Sequence, residues 1–197
     1  VPDRPLLLVL VASLLAACAS HHAQAPAERT ARPRDPQQAL RLATRAQAAA
    51  DAGDADQAIE LYNEALLQDD SLAFAWNNLG LELMDRFAYQ DAVLAFTRAA
   101  DLTPRDPRPM TNAGIAYHRA GFDREALRHF EYALERDPNW IEALRGAGRA
   151  TRRLHLSDDD ALERTRRALL IEPDPKWRSF FERERIRIEQ AQRTAEE

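Results

Sequence analysis

AFAWNNLGLELMDRFAYQDAVLAFTRAADLTPRD, residues Ala73–Asp106, is the stretch whose spacing recurs on either side of it. Counting Ala73 as position 1, Trp76, Leu79, Gly80, Tyr89, Ala92, Phe96, Ala99 and Pro104 occupy positions 4, 7, 8, 17, 20, 24, 27 and 32. A shift of 34 residues maps Gly80 onto Gly114, Ala92 onto Ala126, Phe96 onto Phe130, Ala99 onto Ala133 and Pro104 onto Pro138. The opposite shift finds Ala58, Tyr62 and Ala65. A period of this length marks stacked supersecondary units. Apolar residues recur at three and four, not at two, so each unit is helical. Gly80 and Ala92 are small enough for two antiparallel helices to approach closely, and Phe96 fills the space between its own hairpin and the next. One hairpin leaves that face bare, whereas several stacked together bury it.

The pattern resembles the tetratricopeptide repeat. The resemblance implies an all-α, right-handed superhelical solenoid of helix-turn-helix repeats with a concave and a convex surface. On this reading a repeat domain covers residues 37–175, with units at about 39–72, 73–106, 107–140 and a degenerate fourth at 141–175. Gly148 holds its place in the fourth unit, but Ala168 and Pro173 align only with one residue inserted near His155–Asp160. Gly53 and Gly121 supply inter-helix turns, while Phe87 stands where the turn usually has glycine. Asp54, Ser71, Asp106 before Pro107, and the run Ser157–Asp160 are candidate helix caps. The first unit has Leu42 in place of the large aromatic at position 4, which predicts the loosest packing of the set. Residues 176–197 form a capping helix, with Trp177, Phe180, Phe181 and Ile188 on one side, because the last hairpin otherwise exposes its stacking face.

At the other end, Leu6–Ala17 is an apolar run too short to span a bilayer and of the length of a signal-peptide hydrophobic region. It ends in Leu15-Ala16-Ala17-Cys18, which resembles a bacterial lipobox. That resemblance implies a signal peptide over residues 1–17 and a lipidated Cys18, the only cysteine in the chain. A Pro-, Ala- and Arg-rich tether, residues 18–36 with the lipidated cysteine, follows. Ala19-Ser20 after the cysteine, in place of an aspartate, points to the outer membrane, facing the periplasm.

The formal net charge of −5 argues against a nucleic-acid binder, which needs a basic surface. The charge is uneven: residues 39–72 hold two basic and seven acidic side chains, whereas residues 141–175 hold seven of each. Of 27 basic residues only Lys176 is a lysine, so arginine positions carry more information than arginine counts. His118, His129 and His155 fall on helical stretches with no nucleophile elbow, metalloprotease motif or phosphate-cradling loop, and the sequence reads as no enzyme, without cofactor, metal or small-molecule substrate.

In the family the first helix of each repeat lines the concave groove. Carried onto this sequence, the front of the groove takes Leu40, Gln47, Phe74, Asn77, Asn78, Leu81 and Met84. The rear takes Arg108, Thr111, Asn112, His118, Arg119, Arg145, Arg149 and Arg152. Arg145, Arg149 and Arg152, spaced i, i+4 and i+7, share one helical face. The expected ligand is a protein segment, held by apolar contacts at one end and through a carboxylate or acidic stretch at the other. A full chaperone-type carboxylate clamp is absent, since Ala43 and Gln47 replace two of its members. The function this implies is a membrane-anchored scaffold or adaptor lipoprotein of the bacterial envelope. Pilus or secretion-system assembly, or regulation of a cell-wall enzyme, are the alternatives.

Overall fold

The computed structural model describes residues 35–197, and the expected signal peptide, Cys18 and most of the tether lie outside them. Among the described residues there are nine helices and no strand. They are α1 (Pro36–Asp51), α2 (Ala55–Gln68), α3 (Ala73–Asp85), α4 (Tyr89–Leu102), α5 (Arg108–Arg119), α6 (Asp123–Arg136), α7 (Ile141–Arg153), α8 (Asp159–Ile171) and α9 (Pro175–Glu196). Consecutive helices pack as hairpins, and α1, α3, α5, α7 and α9 also touch in series, forming an inner layer. None of these helices is long and apolar enough to cross a membrane.

Aromatic rings seated on glycines join the layers. A Cβ added to Gly80 would lie 2.6 Å from the Phe96 ring, and one on Gly114 would lie 2.7 Å from that of Phe130. Phe130 also presses on Gly146 of the next hairpin, where a Cβ would come within 2.3 Å. One ring therefore locks two hairpins, and both Phe96 and Phe130 are fully buried. In the fourth unit Thr165 occupies the register of these phenylalanines once the inserted residue is counted. Its place over Gly148 is taken by Phe181 of α9, 2.7 Å from a Cβ there. The final helix thus completes the fourth hairpin as well as covering it.

All four inter-helix turns close alike. Gly53, Phe87, Gly121 and His155 lie 34 residues apart and have φ of 80°, 62°, 87° and 55°. At each, the following N–H returns to a carbonyl five residues back, as in Asp54 to Ala49 and Ala88 to Leu83. This helix ending requires a left-handed residue. Phe87 adopts that conformation without glycine's freedom, and its ring stays 77% exposed, edge-on to Tyr89.

Some local expectations change. The α1–α2 hairpin is the most extensive helix contact, not the loosest: Ala39, Ala43, Ala46, Ala58, Tyr62 and Ala65 are all fully buried. A row of alanines on α1 lets α2 come close enough to need no large side chain at Leu42. Ser71 does not cap α3; its hydroxyl donates to Asp69 at 2.6 Å, and α3 has no side-chain cap. Asp106 accepts from the Arg108 N–H, with Pro107 as the flanking residue, so α5 starts one residue later than expected. Asp35 and Pro36, placed at the end of the tether, are the N-cap and first residue of α1, and Asp35 accepts from the Gln38 N–H at 2.9 Å. Asp54 and Asp158 cap α2 and α8 in the same way.

The strain at Phe87 is testable. Phe87→Gly removes a β-carbon from a left-handed position and should raise the unfolding free energy by about 1 kcal/mol, read from urea denaturation. A fall in stability would mean that the Phe87–Tyr89 contact outweighs the backbone term.

Candidate functional site

The inner layer carries a chain of side-chain amides. Asn112 on α5 donates from Nδ2 to Asn77 Oδ1 on α3 at 3.0 Å, and Asn77 Nδ2 donates to Asn78 Oδ1 at 3.3 Å. Asn78 Nδ2 donates to Gln47 Oε1 on α1 at 2.7 Å, and Gln47 Nε2 to Asp51 Oδ1 at 2.8 Å. The carboxylate at the end accepts only, which fixes the direction of every amide before it. Tyr62 supports the chain from α2: its hydroxyl donates to Gln47 Oε1 at 3.1 Å. Burial pushes the Tyr62 phenol above its ordinary value of 10.0, keeping it a donor.

Three of the first helices are thereby linked along one wall. Each amide still has a second N–H or lone pair, the groups that match a polypeptide backbone. Beside the chain a cleft of about 440 Å³ is lined by Leu72, Phe74, Asn77, Asn78, Thr103, Arg108 and Pro109. Phe74 is 45% exposed there. Leu81 is instead half-buried against the Phe96 cluster, and Met84 is buried in it. Arg108 forks onto Asp106, with Nε 3.0 Å and Nη2 2.7 Å from the carboxylate. This hydrogen bonding lowers the Asp106 pKa and raises that of Arg108, so the guanidinium enters the cleft already paired.

The rear face is organised by α9. Arg145 grips Glu172 through Nε–Oε2 at 2.9 Å and Nη2–Oε1 at 2.6 Å. Glu172 Oε1 also accepts from the Asp174 N–H at 2.9 Å, while Arg178 donates to the Glu172 carbonyl. Arg152 lies 3.4 Å from the buried Glu184 and over the Phe180 ring. Arg149 is exposed and has no carboxylate partner among the described residues; its guanidinium rests 5.4 Å from the Trp177 ring centre. Partial desolvation of the guanidinium against its neighbours, and then the charge of Arg119, lower its pKa, although the residue as a whole is exposed. The three guanidiniums do not form a uniform free row, because the connection before α9 supplies an acid for Arg145, and α9 supplies one for Arg152 and an aromatic bed for all three. Arg119 itself reaches the exposed Asp85 at 3.4 Å. His118 turns to Asp123, 2.5 Å from Nδ1, and Asp123 also holds Arg153 at 2.9 Å, so this trio ties α5, α6 and α7 together.

The sequence reading did not single out Glu172 or the bed formed by Trp177. No motif marks a glutamate between Ile171 and Pro173, and from the sequence the place of Trp177 on the apolar side of α9 is accounted for by packing alone.

No protein-family model matches the chain. It is 33% identical over 103 residues to the photosystem I assembly protein Ycf3 of Synechococcus elongatus, covering 47% of this chain and 58% of that one. The chain thus spans little more than half of that relative's length. Among solved structures, MamA superposes with a TM-score of 0.63 at 25% identity, over 69% of this chain and 79% of that one. The first TPR of Spaghetti (RPAP3), solved with the HSP90 peptide SRMEEVD, superposes at 0.58 with 22% identity, over 62% and 97% of the two chains. The fold is a tetratricopeptide-repeat solenoid. Within it the amide chain lies on the first helices of repeats one to three, and the arginine face on the first helix of repeat four.

Glu172 should report on acid stability. Its hydrogen bonds from Arg145 hold its carboxyl below the ordinary 4.5, so the stabilisation is complete above pH 4.5 and is lost as pH falls through the folded value. Glu172→Gln should lower stability at pH 7 by about 2 kcal/mol, on the low side for breaking a buried pair because the Arg145 guanidinium is partly exposed and can be hydrated. It should also flatten the loss of stability on acidification. An unchanged acid limb would show that other carboxylates govern it.

Proposed function

We propose that the chain is a non-enzymatic scaffold whose tetratricopeptide-repeat groove holds a polypeptide segment of a protein partner. The observation that carries this reading is the directed amide chain from Asn112 to Asp51, beside the Phe74 cleft. Its remaining donors and acceptors match peptide N–H and C=O groups, and the exposed Phe74 ring offers an apolar contact. Ycf3 is named as an assembly protein, and the RPAP3 domain binds a peptide, so likeness to both supports recognition over chemistry.

The reading extends to place. Residues 6–18 have the form of a lipoprotein signal ending in Cys18, and Ala19-Ser20 favours the outer membrane. On this proposal acyl chains at Cys18 hold the repeats at the periplasmic face of the bacterial envelope, where the scaffold gathers its partners. Assembly of a pilus or secretion system, and regulation of a cell-wall enzyme, are two settings compatible with such a groove.

Peptides selected from a random display library against the intact protein test the groove. Asn78→Ala combined with Asn112→Ala should weaken the selected peptides at least tenfold while thermal unfolding stays cooperative; equal binding by the double variant sinks the reading. Cys18→Ser should abolish incorporation of labelled palmitate into the chain when it is expressed in a diderm bacterium. Labelling unaltered by that change would rule out the acyl anchor.

A further inference from the structure

We propose that Arg149 and Arg119, with the Trp177 indole as floor, form an anion seat at the rear of the groove that takes a side-chain carboxylate of the bound polypeptide. The inference rests on the groove reading above and adds the chemistry of its occupant.

The helix α7 carries four arginines, which makes it an internal comparison. Arg145, Arg152 and Arg153 hold Glu172, Glu184 and Asp123 respectively. Arg149, on the same helix and exposed, faces no carboxylate among the described residues. Its position is nevertheless defined, since the Trp177 ring lies 5.4 Å from its guanidinium and 5.3 Å from that of Arg145. A planar guanidinium lying on an aromatic face keeps its N–H edge free for an acceptor.

The charged neighbour that acts on Arg149 is a second cation, Arg119, from the last turn of α5. Arg119 is 48% exposed, and its acid, Asp85, is 72% exposed at 3.4 Å, a weak surface pair. The helices α5 and α7 that carry these two guanidiniums touch in the inner layer, so the two charges repel each other with one loosely held acid nearby. An anion between them relieves that repulsion and gains charge-assisted hydrogen bonds. The local excess is about one positive charge once Asp85 is counted, which a carboxylate balances and a phosphate dianion exceeds.

The test uses the full chain and a tetraglutamate peptide, acetylated and amidated so that only side-chain carboxylates are present. Tetraglutamine and inorganic phosphate serve as comparison probes. Saturable NMR shifts are expected at Arg149 Nε–Hε and the Trp177 indole with tetraglutamate, with smaller ones from phosphate and none from tetraglutamine. Arg149→Gln and Arg119→Gln should each weaken tetraglutamate at least tenfold, Arg149→Lys less, and Arg124→Gln on exposed α6 not at all. Equal affinity in Arg149→Gln, a stronger response to phosphate, or equal shifts at Arg124 would each overturn the seat. Should selected peptides depend on Asn78 and Asn112 while tetraglutamate leaves Arg149 unmoved, the seat fails and the groove stands. A working seat in a protein whose selected peptides ignore both asparagines would remove the groove reading instead.

Discussion

Inside the second and third hairpins, and at the joints on either side of the fourth, a ring is pressed against a backbone that has no β-carbon. Phe96 needs Gly80, Phe130 needs both Gly114 and Gly146, and Phe181 needs Gly148. At these separations a methyl group forces either the ring or a helix to move, and a close-packed interior offers little room for either. The separation of the helices within these hairpins, and between the third and the fourth, is therefore set where they are nearest. The groove depends in addition on the spacing of α1, α3 and α5, which brings Gln47, Asn78, Asn77 and Asn112 within hydrogen-bonding distance.

The turns impose the same geometry on residues that resist it. Four helices end on a left-handed residue at a 34-residue interval, and only two of these residues are glycine. Phe87 and His155 conform because the hairpin contacts of their repeats outweigh a local cost of about 1–2 kcal/mol each. Tertiary packing thus overrides local preference without altering the turn. At Phe87 it also leaves an aromatic ring in solvent, beside the cleft lined by Tyr89, Val93, Leu94, Tyr117 and Phe122.

Periodic features were legible in the sequence and aperiodic ones were not. The glycine and aromatic positions recur at a fixed interval, so the all-helical solenoid follows from spacing alone. So does the left-handed turn at Gly53 and Gly121. Phe74, Asn77 and Asn78, assigned to the front of the groove, and Asn112, assigned to its rear, occupy first-helix positions, and the structure brings them together in one cleft and amide chain. The fate of the arginines was not legible, because their partners lie outside the repeat pattern. Glu172 reaches Arg145 from a connection and Glu184 reaches Arg152 from the last helix. The i, i+4, i+7 spacing shows which side of α7 the three share; it carries nothing about what that side meets. The first hairpin misled for a related reason: an alanine-rich helix looks under-filled until its partner is seen to move in to meet it.

On the proposed reading, the last helix makes stability and recognition inseparable at the rear of the groove. Phe181 supplies the ring that the fourth hairpin lacks, and on the preceding turn Trp177 supports Arg145 and Arg149. One turn later, Glu184 takes Arg152. The side of α9 that caps the solenoid thus neutralises Arg152, the connection before it neutralises Arg145, and Arg149 is left without an acid among the described residues. A capping helix chosen for packing alone needs neither an indole beneath two arginines nor a buried glutamate beneath a third, since apolar residues would cover the same surface without desolvating charge. Its charged contacts are better understood as part of the groove wall, with the apolar contacts of Phe181 and Ile188 holding that wall in register.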